Sequence, residues 1–142
     1  MEAGFKRFPI GIQTFSNIVE GGYLYIDKTG FVHDLAETYK YVFLSRPRRF
    51  GKTLALSMLR TFFEQEMDCN GKIVDNSAYF KAAKIADEGE KYREHMGQYP
   101  IITLSLKSAK QPDFDMAYQC MVQDIAYEYD RHSYVLQGEV LS

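Results

Sequence analysis

The chain has 142 residues, 46% of them hydrophobic, with 17 basic residues against 19 acidic ones. A chain of about 150 residues can bury roughly 70% of its unfolded surface, so a core is expected without disulfides or metals. The 11 tyrosines and 10 phenylalanines argue against intrinsic disorder. The near-neutral charge argues against a broad nucleic-acid-binding surface but leaves room for a local basic cluster.

The sequence gives no indication of export or of a membrane span. Its apolar runs fall far short of the ~20 residues that a membrane helix needs, and the N-terminus lacks the apolar stretch of a signal peptide. Cys69, Cys120 and the three histidines are isolated from one another, so neither a disulfide motif nor a zinc site is expected. We therefore expect one cytoplasmic domain over residues 1–142, with reduced thiols.

The first part of the chain predicts short helices that alternate with strands. A helix over residues 14–20 is expected to end at a glycine pair, which adopts positive φ readily. The run Tyr-Leu-Tyr-Ile at residues 23–26 is typical of a strand. A second helix is then expected over residues 31–39, with Asp27 or Thr29 as its N-cap.

The middle of the chain predicts two further strands and two helical regions. Residues 41–44 and 101–106 are apolar runs rich in β-branched and aromatic residues, which suits buried strands. A helix is expected after Lys52, where apolar residues begin to recur at three- and four-residue spacing. Residues 77–95 predict helix in one or two pieces around Gly89.

The last predicted element is an amphipathic helix over residues 114–129. Its apolar residues follow helical spacing and are Phe114, Ala117, Tyr118, Met121, Val122, Ile125, Ala126 and Tyr129. Polar residues, Asp124 and Glu128 among them, lie on the opposite side of this helix. They are expected to face solvent.

The most informative motif lies between the run at residues 41–44 and the helix after it. Residues 46–53 follow the phosphate-binding pattern G-x-x-x-x-G-K-[ST], except that Arg46 occupies the first glycine position. A helix N-terminus presents unpaired N–H groups and the positive end of its dipole to a phosphate. Gly51 lets the backbone approach closely, Lys52 would reach the β- and γ-phosphates, and the Thr53 hydroxyl would bind Mg²⁺.

These considerations predict binding of ATP together with Mg²⁺. The candidate nucleotide contacts are Arg48, Arg49, Phe50, Gly51, Lys52, Thr53 and Leu54, and Thr53 is the candidate metal ligand. The alternation of strands and helices predicts an α/β fold, a partial three-layer sandwich like that of P-loop NTPases, with a mostly parallel sheet. Ligands of such folds bind beyond the carboxyl ends of the strands, where this loop is expected to lie.

Three strings carry a family resemblance: PIGIQ at residues 9–13, GYLYIDKT at residues 22–29, and YVFLSRPRRFGKT at residues 41–53. With them the chain resembles the AAA-ATPase-like proteins. In that family an N-terminal ATPase-like domain is usually followed by a PD-(D/E)XK nuclease-like region. The likeness covers about residues 8–130 and implies a P-loop nucleotide site at Gly51, Lys52 and Thr53. It also implies that this chain is the N-terminal fragment of a longer protein.

An acid that could hold the Mg²⁺ shell and orient water is harder to find. Asp27 follows an apolar run, but it precedes the motif and has a capping role. Glu128 lies in a helical pattern. In the family, the strand that carries this acid lies downstream of the present sequence. We therefore expect weak nucleotide binding without hydrolysis at a meaningful rate.

A second interpretation is a nucleic-acid-binding or partner-binding module, in which Arg46, Arg48, Arg49 and Lys52 contact a phosphate backbone. Nucleic acid also stays open as a partner of the full-length protein. A homo-oligomer is expected as well, because a partial sheet would expose an edge and apolar surface. Exchange of the helix over residues 114–129 would be one way to form it.

Overall fold

The structure is a computed structural model that describes residues 6–38 and 40–137. About half of these residues are helical, and none of them lies in a β-strand. The α-helices are α1 (Phe15–Glu20), α2 (Gly30–Thr38), α3 (Lys52–Phe63), α4 (Phe114–Arg131) and α5 (Ser133–Gln137). Two 3₁₀ helices, Ser77–Phe80 and Lys84–Glu94, lie between α3 and α4. Across the described ranges, no helix combines the length and apolarity needed to cross a membrane.

The predicted α/β fold with a parallel sheet is wrong. Within residues 6–38 and 40–137, β-type backbone pairing is limited to two isolated bridges, Glu64 with Tyr99 and Met67 with Ile73. The three runs expected to form strands, residues 23–26, 41–44 and 101–106, have no regular secondary structure. The fold is therefore mainly helical over the part of the chain that the structure describes.

The physical reason is that a run of β-branched and aromatic residues favours an extended chain but does not supply the second backbone of a ladder. Exposure along residues 23–28 alternates with a period of two, as in an extended chain. The Leu24 N–H donates to the Arg7 carbonyl at 2.8 Å, yet no ladder continues from this bond among the residues that the structure describes. Residues 23–26 thus have the local pattern of a strand without a paired neighbour in the described part of the chain.

The helices predicted from hydrophobic spacing are confirmed. Helix α3 begins at Lys52, as expected. Helix α2 begins at Gly30 and is described to Thr38, while its predicted last residue, Tyr39, lies outside the described residues. The region over residues 77–95 is helical in two pieces, of the 3₁₀ type, with non-helical backbone at Gly89.

The core lies where α1, α2 and α3 meet the two 3₁₀ helices. Its buried members are Phe15, Val32, Met58, Phe62, Phe80 and Ile85. The Phe80 ring stacks on Phe15 at a centroid distance of 5.1 Å and meets Phe62 edge-on at 5.2 Å. Helix α3 is therefore anchored through its middle and C-terminal turns, which leaves its N-terminal turn at the surface.

Helix α4 has its apolar side facing outward. Phe114 is 78% exposed and Ile125 is 53% exposed, whereas Glu128 is the one buried residue of this helix, at 7%. The expectation that Glu128 faces solvent is therefore wrong. The helix itself was predicted correctly. The side of it that is buried, however, is the one with charged residues that form ion pairs, and not the one with its apolar residues.

A buried ion network fixes α4 to the end of α3. The guanidinium of Arg131 donates Nη1–H to Glu64, and it donates Nη2–H both to Glu128 at 2.9 Å and to the Ile101 carbonyl at 2.8 Å. The Thr103 N–H donates to Glu128 at 3.1 Å. Burial alone would raise the pKa of Glu128, but the hydrogen bonds from Arg131 and Thr103 outweigh it and hold this pKa below its ordinary value.

An exposed sheet edge does not explain self-association, because the described residues contain no sheet. The homo-oligomer itself stays a prediction. The apolar side of α4 is exposed, as the helix-exchange hypothesis requires.

Glu128→Gln is expected to make stability less dependent on pH. The pKa of Glu128 lies below its ordinary value of 4.5, so its ionised carboxylate stabilises the fold above that pH. That stabilisation is lost as the pH falls through the folded-state pKa. At pH 7 the variant should lose about 1–2 kcal/mol of unfolding free energy, measured by urea titration.

The difference in unfolding free energy between Glu128→Gln and the unaltered protein should shrink as the pH approaches 3. Glu37→Gln is the control, because Glu37 is exposed on α2 and forms no ion pair with any described residue. A Glu128→Gln difference that stays constant from pH 7 to pH 3 would contradict the expectation.

Candidate nucleotide site

The loop before α3 turns through two residues with positive φ. Arg49 has φ 66° and Gly51 has φ 76°, both in the left-handed region. Glycine adopts this conformation freely, whereas an arginine there is strained. Gly51 is the N-cap of α3, so the motif glycine stands at the turn into the helix.

The N-terminus of α3 is open. Its first intrahelical bond runs from the Ala55 N–H to the Gly51 carbonyl at 2.8 Å. The N–H groups of Lys52, Thr53 and Leu54 precede that bond, and no side chain of the described residues caps them. The first turn also contains no acidic residue. Three backbone donors and the positive end of the helix dipole are therefore available to an anion.

A cavity of about 420 Å³ adjoins this helix end. Four cationic side chains and two carboxylates line it: Lys28, Arg46, Lys52, Lys84, Asp27 and Asp34. Within the described part of the chain, none of the four cations forms an ion pair within 4.0 Å of a carboxylate. The cavity therefore carries an excess of positive charge, which favours an anionic ligand.

A second cavity of about 670 Å³ also adjoins the loop. It is lined by Arg49, Thr53, Leu54 and residues 9–13, and Gly51 and Lys52 border both cavities. The PIGIQ string quoted above therefore lies beside the motif.

The predicted contacts are only partly brought together. Lys52 and Gly51 stand between the two cavities, Phe50 lines the first, and Arg49, Thr53 and Leu54 line the second. Arg48 is exposed and lines neither of them. The basic residues of the loop thus line different cavities rather than one shared cavity.

The carboxylate of Asp27 organises the far wall of the first cavity. Its Oδ1 accepts hydrogen bonds from the Thr29 N–H at 2.8 Å and from the Thr29 hydroxyl at 2.6 Å. Its Oδ2 accepts from the Lys84 N–H at 2.7 Å, and the Thr29 hydroxyl oxygen accepts from the Ile85 N–H at 3.1 Å. This set of four bonds, the Asp27 clamp, joins the start of α2 to the start of the second 3₁₀ helix.

The clamp explains the electrostatics of Asp27. Partial burial alone would raise the pKa of this carboxyl, but the hydrogen bonds from Thr29 and Lys84 together outweigh it and lower the pKa below its ordinary value. Asp27 forms an Asx turn just before α2, because its carboxylate binds the N–H of Thr29 two residues on. The N-cap role expected for Asp27 or Thr29 stays a prediction.

Three charged residues of the first cavity, Lys28, Asp34 and Lys84, were missed by the sequence analysis. Asp34 lies on α2, and Lys84 begins a 3₁₀ helix well beyond the motif. The motif gives no signal for either of them, because tertiary contacts through the Asp27 clamp bring their segments to the cavity.

Comparison with known proteins gives a family match over most of the chain. Residues 9–138 match the AAA-ATPase-like family, described as a predicted AAA-ATPase. An uncharacterized protein in the 5' region of vnfD from Azotobacter chroococcum mcd 1 is 41% identical over 101 residues. That stretch covers 70% of this chain and 17% of the relative. No solved structure matches the chain. The nuclease-like region implied by the resemblance stays a prediction.

Arg49→Gly is expected to stabilise the fold by about 1 kcal/mol, because glycine removes the strain of a left-handed arginine. Thermal unfolding measures the effect as a rise in Tm. Arg48→Gly is the matched control: Arg48 has no positive φ, so glycine there only adds freedom to the unfolded chain. Equal losses of stability in the two variants would contradict this account of the loop.

Proposed function

Because the chain belongs to the AAA-ATPase-like family, we propose that it binds ATP at the N-terminus of α3. The observation that carries this proposal is the open first turn of α3, bordered by a cavity whose cations lack carboxylate partners among the described residues. A nucleotide's phosphates meet both requirements, since they accept several backbone hydrogen bonds and carry the opposite charge.

The residues around the N-terminus of α3 have distinct roles in this proposal. Gly51 keeps the approach to the helix free of a side chain, and a Cβ built there would meet no atom within 4 Å. Lys52 borders both cavities and supplies a mobile positive charge. Phe31 and Phe50 add aromatic surface to the first cavity, against which a base can pack.

The Thr53 hydroxyl suits a Mg²⁺ that accompanies the phosphates. It is exposed and forms no hydrogen bond with any described group. The described ranges contain no group of three His, Cys, Asp or Glu residues suited to a metal. Thr53 lines the second cavity, so it would hold Mg²⁺ where the phosphates extend past Gly51 and Lys52, which border both cavities. Phosphate oxygens and waters would be the other ligands. Bound Mg²⁺ would neutralise part of the phosphate charge.

We propose binding without appreciable hydrolysis for this chain. Hydrolysis requires an acid that holds the Mg²⁺ shell and a group that orients water. Asp27 and Asp34 are the carboxylates of the first cavity. Both oxygens of Asp27 already accept hydrogen bonds from Thr29 and Lys84. This proposal concerns the chain alone, since it aligns with 17% of the length of its relative.

Lys52→Ala is expected to reduce ATP affinity at least tenfold, because it removes a charge-assisted contact to the phosphates. Isothermal titration calorimetry with ATP and Mg²⁺ measures the change. The control is Lys72→Ala, at an exposed position that borders neither cavity. Unchanged affinity in Lys52→Ala would overturn the assignment.

A second candidate function is binding of a nucleic-acid backbone by Arg46, Arg48, Arg49 and Lys52. One observation favours it: all four are exposed, and none forms an ion pair with another described residue. Backbone contacts of this kind lose affinity steeply as salt rises.

Arg48→Ala separates the two functions, because Arg48 lines neither cavity. Nucleic-acid binding should weaken and show a shallower salt dependence in this variant, while ATP affinity stays unchanged. Fluorescence anisotropy with a labelled DNA duplex at several salt concentrations measures the slope. No binding by the unaltered chain at low salt would remove this candidate.

A further inference from the structure

Lys84 borders the candidate nucleotide site from a segment that lies outside the motif. It begins the second 3₁₀ helix and lines the same cavity as Gly51 and Lys52. We propose that the Lys84 ammonium contacts the terminal phosphate of the bound nucleotide. This inference rests on the proposed function and adds a phosphate contact that the motif does not contain.

The backbone of Lys84 is held in place at the cavity. Its N–H donates to Asp27 at 2.7 Å, and the N–H of the next residue, Ile85, donates to the buried hydroxyl of Thr29 at 3.1 Å. Ile85 is itself part of the core. The flexible side chain of Lys84 thus starts from a fixed point, which reduces the entropy lost when its ammonium binds a ligand.

The charges around Lys84 favour a phosphate as its partner. Asp27 and Asp34 face the same cavity, but neither lies within 4.0 Å of the Lys84 ammonium. Asp27 also uses both oxygens for the hydrogen bonds of its clamp. An ammonium has three N–H donors, so Lys84 retains donors for an incoming anion.

Two cations from separate segments suit the end of a phosphate chain. Lys52 stands on the helix side of the cavity and Lys84 on the wall built by the Asp27 clamp. Lys28 lines this wall too, but it also borders a separate cavity beside Phe8 and Leu24. Among the cavities described, Lys84 borders the one at Lys52 alone. A terminal phosphate carries more charge than a bridging one and gains most from a second cation.

The test compares Lys84→Gln with Lys81→Gln by calorimetry, using ATP, AMP and inorganic tripolyphosphate as ligands. Lys81 is a matched control, because it is an exposed lysine nearby in sequence that borders a different cavity. Lys84→Gln should weaken binding of ATP and tripolyphosphate about tenfold and leave AMP binding unchanged. Lys84→Arg, which keeps the charge, should restore most of the lost affinity.

A second measurement does not depend on any variant. Acetylation of lysines in the unaltered protein, followed by mass spectrometry, should show ATP protecting Lys84 and Lys52 but not Lys81.

Equal ATP affinity in Lys84→Gln and Lys81→Gln would overturn the Lys84 contact and leave the nucleotide site intact. Equal weakening of AMP and ATP would also overturn it, by placing Lys84 away from the terminal phosphate. Equal ATP affinity in Lys52→Ala and in the unaltered protein would overturn the site and this inference together.

Discussion

The carboxylate of Asp27 joins segments that are far apart in the sequence, and the far wall of the candidate site depends on it. One oxygen binds both the N–H and the hydroxyl of Thr29, and the other binds the N–H of Lys84. Buried polar groups need such partners, because an unpaired donor or acceptor loses the hydrogen bonds it made to water. The clamp satisfies the buried hydroxyl of Thr29 and the N–H groups that open the second 3₁₀ helix. The same bonds bring a lysine to the cavity at the N-terminus of α3.

The hydrophobic core packs directly beside the segments that the Asp27 clamp joins. Phe62 and Met58 anchor α3 against the aromatic core, while Ile85 continues the core directly beyond the clamp. The polar clamp and the apolar core therefore adjoin along the chain at Thr29 and Ile85. The loop over residues 45–51 therefore leads into a helix that the core holds in place. The functional groups at the N-terminus of α3 are thus positioned by a rigid element.

Sequence reasoning succeeded where the deciding contacts are local. The start of α3 at Lys52 follows from hydrophobic spacing within a few residues. The sheet was predicted wrongly because strand pairing depends on a second backbone, which no apolar run specifies by itself. Lys84 was missed for a related reason. Its approach to the cavity depends on hydrogen bonds to Asp27 and Thr29, and no periodicity or motif encodes those contacts.

Helix α4 shows how charge can override hydrophobic pattern. Its apolar residues predicted the helix correctly, yet the side that meets the body is the one that carries Glu128 and Arg131. Hydrophobic contacts weaken on cooling, because releasing water from apolar surface is mainly an entropic gain near room temperature. The attachment of α4 depends instead on the Arg131 network, while most large apolar residues of this helix are already exposed. Local detachment of this helix should therefore carry a small change in heat capacity, so that cooling alone does little to loosen it.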